Sequence, residues 1–244
     1  MKYNKLIIVE GHQYPNGDPG AIAKGTTEAR QNVEVGDETV KLFRNVKTLE
    51  VLHCPQDLGG VAEIAWVNAH ADSDTIVVSI HHNASKDANA SGVEAYHYKG
   101  NADGQELARI ICGKISEKTG IYNRGAKIES QSQHNHIGII SRTKGTAVLV
   151  ECGFMTNPYD KNHILNPDLD NAFSEAIFDG VTEFLGKELK NKIMENINRE
   201  KLDVIITTIT KKVENKSKSL YTIGEQDDIK KIVYGVLSEI GVDC

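Results

Sequence analysis

The stretch VVSIHHNAS, Val77 to Ser85, decides how this chain is read. Its first half is short, apolar and β-branched, which suits a strand buried on both faces. It then ends in two adjacent histidines and an asparagine. A buried strand therefore carries proton-binding and metal-binding side chains to its carboxyl end, the edge of an open α/β sheet where function gathers. Which of the two histidines does chemistry is not fixed by the run itself.

Similar short runs recur on both sides. Leu6–Val9, Leu49–His53, Thr75–Ile80, Gly92–Tyr98, Ile137–Ile140 and Ala147–Val150 read as strands. Between them, residues 27–45, Ala62–Ala71, Gln105–Thr119 and Leu169–Leu185 have helical spacing, with Trp66 expected in the core and Phe173, Ile177, Val181 and Phe184 as the inward face of the closing helix. This alternation predicts an α/β fold: a mostly parallel twisted sheet with helices on both faces. The loop GHQYPNGDPGAIAKG after the first strand is punctuated by tight-turn residues. Past Gly186 the chain turns into the charged run GKELKNKIMENINREK, which places a boundary near Lys190. Residues 1–189 then form the main domain. Residues 190–244 form a small C-terminal segment or domain, too short for a robust core of its own and expected to pack against something or to self-associate into a homo-oligomer.

Bulk properties exclude several classes. The 244-residue chain has a formal net charge of −6, which argues against a protein built to grip nucleic acid or an anionic membrane. No apolar run approaches the roughly 20 residues needed for stable membrane insertion. The amino-terminal apolar run LIIV is shorter than the about 7–15 residues of a signal-peptide core, so the expectation is synthesis in the cytoplasm without a cleavable Sec signal. Cys54, Cys112, Cys152 and Cys244 are scattered and form no C-x-x-C pair, which speaks against a thiolate zinc site or a disulfide framework.

The strand ends hold the informative residues. The first strand delivers Gly11-His12, the central one His81-His82-Asn83, and the 147–150 strand Glu151. Glu28 stands where a helix begins, and a helix amino end favours a carboxylate. Two histidines and a carboxylate are the donor set of a catalytic zinc with an open position, and a second carboxylate is then free to act as a base. Taken singly, a strand-end histidine is a hydrogen-bonded structural residue and a helix-start glutamate a cap partner. Their combination points to metal-assisted amide hydrolysis.

In order along the chain stand Gly11-His12, Asp18-Pro19-Gly20-Ala21, Glu28 with Asn32, Ser79-Ile80-His81-His82-Asn83-Ala84, Gly92-Val93-Glu94-Ala95-Tyr96, Arg124-Gly125-Ala126-Lys127 and Val150-Glu151-Cys152-Gly153-Phe154-Met155-Thr156-Asn157. This series, within residues 4–188, closely resembles the zinc-dependent N-acetylmuramoyl-L-alanine amidases of the amidase-3 family, found in bacterial autolysins and phage endolysins. The resemblance implies one Zn2+ per catalytic domain, held by His12, Glu28 and His81, with Glu151 as catalytic acid/base. It implies peptidoglycan as the substrate, cut at the amide between N-acetylmuramic acid and L-alanine at the bacterial cell wall. In the family's S-I-H-x-N pattern the first histidine is the ligand. Strand alternation agrees, since Ser79, His81 and Asn83 share one face and His82 turns away.

There are departures. Gln13 replaces the family's glycine, Val9-Glu10 its acid-proline pair, and HCPQDLGG an arginine-aspartate pattern at one edge of the cleft. The segment SQSQHNHIGIISR is longer and richer in histidine than the pattern, making His134 and His136 candidates to line the groove. Arg124 and Lys127 could meet stem-peptide carboxylates or form structural ion pairs. Two alternatives stand beside the amidase: a zinc peptidase acting on the stem peptide, and a non-catalytic peptidoglycan-binding protein, against which the retained Glu151 argues. The absence of a signal favours a phage-type endolysin. The C-terminal segment is read as wall-targeting, as oligomerising, or as a helical appendage.

Overall fold

A computed structural model describes residues 2–186 apart from 24, 45, 134 and 170. The expected boundary near Lys190, the 190–244 segment with its expected self-association, and His134 lie outside the described residues.

Strand β1 (Lys5–Glu10) is buried on both faces, with Leu6 and Ile8 in one core and Ile7 and Val9 in the other. After it come a two-stranded ribbon, β2 (Ile22–Ala23) and β3 (Thr26–Thr27), and helix α1 (Glu28–Phe43). Thr27 caps α1 by accepting from the Arg30 amide at 3.3 Å, which fixes Glu28 as the first helical residue. Strand β4 (Glu50–His53), helix α2 (Gly60–His70), strand β5 (Thr75–Asn83) and strand β6 (Val93–His97) follow. Then come α3 (Ala102–Thr119), β7 (Asn123–Ile128), α4 (Gly138–Ser141), β8 (Thr146–Phe154) and α5 (Pro158–Ile164), and residues 172–186 are helical.

The six-stranded sheet runs β4-β1-β5-β8-β6-β7. All neighbouring pairs are parallel except β6 with β8. One face carries α1, α3 and the 172–186 helix through Phe43, Leu107, Ile111 and Ile177; the other carries α2 and α4 through Val67, Ile139 and Ile140. The fold is thus the mostly parallel, twice-covered sheet that the alternation predicts. The expected inward residues Phe173, Ile177, Val181 and Phe184 are all buried. No helix among the described residues is long and apolar enough to cross a membrane.

Two expectations are corrected, and two elements stand beyond the pattern reading. Ile137–Ile140 is not a strand; its residues enter α4, with the Ile137 carbonyl accepting from the amides of Ile140 and Ser141. Four apolar residues fit either period, and consecutive Ile139 and Ile140 both reach the second core, which a strand's alternation would not allow. Trp66 packs against the second core but is only partly buried, stacking on His70 at 4.1 Å, while Val67 is the fully buried residue of α2. Strand β7 and helix α5 are absent from the pattern reading because NRGAKI and PYDKNHI lack apolar periodicity. Helix α5 is started instead by Asn157, which accepts from the amides of Tyr159 and Asp160, with Pro158 in the first turn.

Candidate active site

The site lies at the carboxyl ends of β1, β5 and β8. Past β1, the Gly11 amide donates to the Ile80 carbonyl at 2.9 Å, tying the loop to β5. His12 then takes a left-handed conformation with φ 68°, an uncommon state for a side-chain-bearing residue that marks a constrained turn. Its Nε2 lies 3.1 Å from Glu28 Oε1, and its Nδ1 is 2.8 Å from Asp18 Oδ2. The same Glu28 oxygen is 3.0 Å from His81 Nδ1 and accepts from the His82 amide at 3.2 Å, while Glu28 Oε2 accepts from the Ala21 amide at 2.9 Å.

One donor atom from each of His12, Glu28 and His81 lies within 4.8 Å of the others, the one such group among the described residues. Two imidazoles and a carboxylate suit zinc or another borderline cation. The electrostatics fit as well. Burial alone would raise the Glu28 carboxyl, but hydrogen bonds from His12 and His81 hold it well below the ordinary range. Burial opposes charge on His12, yet Glu28 and then Asp18 push its imidazole up to about 9. The cluster therefore stabilises positive charge at this point, as a cation site must.

Close backbone approach makes the cluster possible. A Cβ on Gly11 would stand 2.0 Å from the His81 ring. Gly11→Ala is therefore expected to displace His81 and remove metal retention while the chain stays folded. Elemental analysis beside a circular-dichroism melt checks this; a variant that still binds metal like the parent would count against the packing argument.

His82 does turn away. It is 1% exposed, packs edge-on against Phe173 at 6.2 Å, and its Nδ1 is 2.8 Å from Asn32 Oδ1. Asn32 Nδ2 in turn donates to the Gly11 carbonyl at 2.9 Å, so the histidine donates from Nδ1 and braces the turn that carries His12. Burial drives the His82 imidazole down to about 4 from its ordinary 6.5. It stays neutral in the folded chain, whereas the unfolded chain takes up a proton below about 6.5. Stability is then lost as pH falls from about 6.5 towards 4, by about 3 kcal/mol in the full-shift limit. Denaturant unfolding at several pH values should show this slope, and His82→Leu should flatten it. An unchanged slope would mean that another group titrates there.

Glu151 is the Cα partner of His81 across the β5–β8 pair and of Glu94 across the β8–β6 pair. It lines the groove beside the cluster, and its Oε2 is buried with no hydrogen-bond partner among the described residues. Burial first, then the Glu28 and Glu94 carboxylates, push its carboxyl well above the ordinary range. A carboxyl held without a structural partner is available to exchange a proton.

The groove has a volume of about 760 Å3. His136 lines it, with Nε2 3.2 Å from Ser141 Oγ. Arg124 Nε and Lys127 Nζ do not stand free: both lie 2.5 Å from Glu94 Oε2, while Tyr96 and Asn83 donate to Glu94 Oε1 at 2.5 and 3.1 Å. The ion-pair reading of the two cations therefore holds in this structure. Sequence reasoning missed Glu94 as the hub and Asp18 as the group that orients His12. Both lie inside the quoted motifs, GVEAY and DPGA.

A His-Glu-His cluster with an unpartnered carboxyl, at the carboxyl edge of a mostly parallel α/β sheet, defines a candidate metal-dependent hydrolase. The family profile described as N-acetylmuramoyl-L-alanine amidase matches residues 6–183, and the chain belongs to that family. It is 33% identical over 188 residues to the probable cell wall amidase LytH of Staphylococcus epidermidis, covering 75% of this chain and 59% of that protein. With the Staphylococcus aureus protein of the same name it shares 28% identity over 169 residues, covering 69% of this chain and 50% of that one. The chain thus spans between half and three-fifths of the length of these relatives. Among solved structures, the N-acetylmuramoyl-L-alanine amidase of Clostridium difficile 630 matches with a TM-score of 0.65 at 25% identity, covering 76% of this chain and 98% of that one. The catalytic domain of the CD27L endolysin matches with a TM-score of 0.59 at 25% identity, covering 74% and 98%.

Proposed function

We propose that this chain hydrolyses the amide between N-acetylmuramic acid and L-alanine in peptidoglycan, acting at the bacterial cell wall. In this reading His12, Glu28 and His81 hold one Zn2+ and Glu151 is the catalytic acid/base. The observation that carries it is the convergence of those three donor sets within 4.8 Å, with Glu151 on the strand next to His81. Zinc so held would supply a Lewis acid that acidifies water and polarises the scissile carbonyl.

The rest falls to the chain. Asp18 on His12 Nδ1 keeps the opposite ring nitrogen turned to the cluster. Glu151, high in pKa and free of structural bonds, accepts the proton of the attacking water. The same carboxyl returns it to the L-alanine nitrogen as the C–N bond breaks, leaving a lactyl carboxylate and a free amino terminus.

Purified walls digested with the intact chain should release complete stem peptides with L-alanine amino termini and leave the glycan strands uncut. New amino termini inside the stem would favour the peptidase reading. Wall binding without any new amino terminus would favour the non-catalytic one. Likeness to the CD27L catalytic domain supports a lytic setting of the endolysin type.

A further inference from the structure

Glu63 sits in the first turn of α2 and lines the same groove as His12 and Glu151. It is 8% exposed. Among the described residues its carboxyl makes no hydrogen bond and no ion pair. A first-turn glutamate commonly needs no explanation, because the helix amino end and water satisfy it. Here the residue is largely covered while its carboxyl oxygens still open to the groove, and no side-chain cap bond forms at this helix start, where Gly59 is the cap residue. Its carboxyl therefore faces the groove with no donor of the chain upon it, and partial burial without a cationic partner disfavours its charged form.

The surroundings say which donor. Glu63 and Glu10, with Asp57, put negative charge around the buried Cys54 behind this wall. The nearby imidazoles already have carboxylates: His53 lies 2.6 Å from Glu10, and His12 lies against Glu28 and Asp18. Arg142 also lines the groove but makes no ion pair with Glu63. The wall therefore has excess negative charge and no cation of its own at Glu63. Burial, reinforced by Glu10 and opposed by His12, pushes the Glu63 carboxyl up to about 7, as expected of an acid lacking a cationic partner.

We propose that Glu63 is a specificity residue that receives a primary ammonium group of the wall substrate, distinguishing an amine-bearing peptidoglycan from its N-acylated form. The proposal rests on the amidase reading above and adds a substrate class to it. Two parts of a muropeptide can present this chemistry: an amino sugar that lacks its N-acetyl group, or the side-chain amine of a diamino acid in the stem.

Two pairs of soluble disaccharide-peptides separate these sources. One pair differs only in a free or acetylated glucosamine amine, the other only in a free or acetylated diamino-acid side chain. For the unaltered chain, one pair should show kcat/KM about tenfold or more in favour of the free amine, carried by KM, the order expected of a charged hydrogen bond. In Glu63→Gln, which keeps the shape and the acceptor oxygen, that ratio should fall towards one, and Glu63→Asp should retain part of it. Equal rates within both pairs for the unaltered chain would overturn the proposal whatever the variants do. So would a ratio that survives Glu63→Gln, which would mean that another group of the groove receives the amine.

If neither pair is cut at all, the amidase reading fails. Calorimetric binding of the same pairs to the intact chain then still reads the ammonium preference. A preference there sustains the role of Glu63, and equal affinities end it.

Discussion

Glu151→Ala is expected to keep its metal and to lose about 10²–10⁴-fold in the rate of wall hydrolysis, the span that one positioned proton carrier commonly supplies. The two halves of this result come from different parts of the geometry. Metal content should hold because the three donor sets, from His12, Glu28 and His81, converge without Glu151. The rate should fall because the two carboxyls that flank Glu151 are already engaged. Glu28 is engaged by both imidazoles, and Glu94 is saturated by Arg124, Lys127, Tyr96 and Asn83. Glu151→Gln preserves volume and some polarity, so its rate should fall nearly as far. Elemental analysis beside a turbidity assay on purified walls reads both quantities. Loss of metal in either variant would place Glu151 among the ligands, and an undiminished rate would remove it from the reaction.

Much of this site was legible because each of its residues sits where chain direction and position are already constrained. His12, His81 and Glu151 close apolar runs, and Glu28 opens a helix, so the α/β alternation alone sends them to one edge. The choice of His81 over His82 came from the resemblance to the amidase-3 pattern, with which strand alternation agrees, and the structure places His82 behind the sheet with Phe173. The role of His82 as a brace through Asn32 to the Gly11 carbonyl was not legible, because it depends on a side-chain path between three segments. Glu94 was hidden for the same reason: its four donors come from β5, β6 and β7. The Ile137 run failed for a different cause. Four apolar residues carry no period, so the core decided between helix and strand. Glu63 gave no signal at all, since a first-turn glutamate looks like any helix-start acid until the fold sets it in the groove wall.

Removing a proposed ligand should cost more than removing the proposed proton carrier. His81→Ala leaves Glu28 and His12 as the only donors of the cluster, and a two-donor site should not retain zinc through dialysis, so metal and activity should disappear together. The loss should exceed the roughly 10–100-fold in metal affinity typical for an outer residue, which is the effect expected for Asp18→Ala through its contact with His12. Protons compete for the same place. With His12 raised to about 9 in the metal-free chain, binding at neutral pH must expel a proton. Apparent affinity should therefore climb with pH until about 9 and level off above it. Titration of the metal-free chain in buffers of different ionisation enthalpy counts that proton directly. Proton release near one per metal at pH 7, abolished along with binding in His81→Ala, is the expected pair of results. Metal uptake that is insensitive to pH between 6 and 9, or that survives in His81→Ala, would mean that the cation sits elsewhere on the chain.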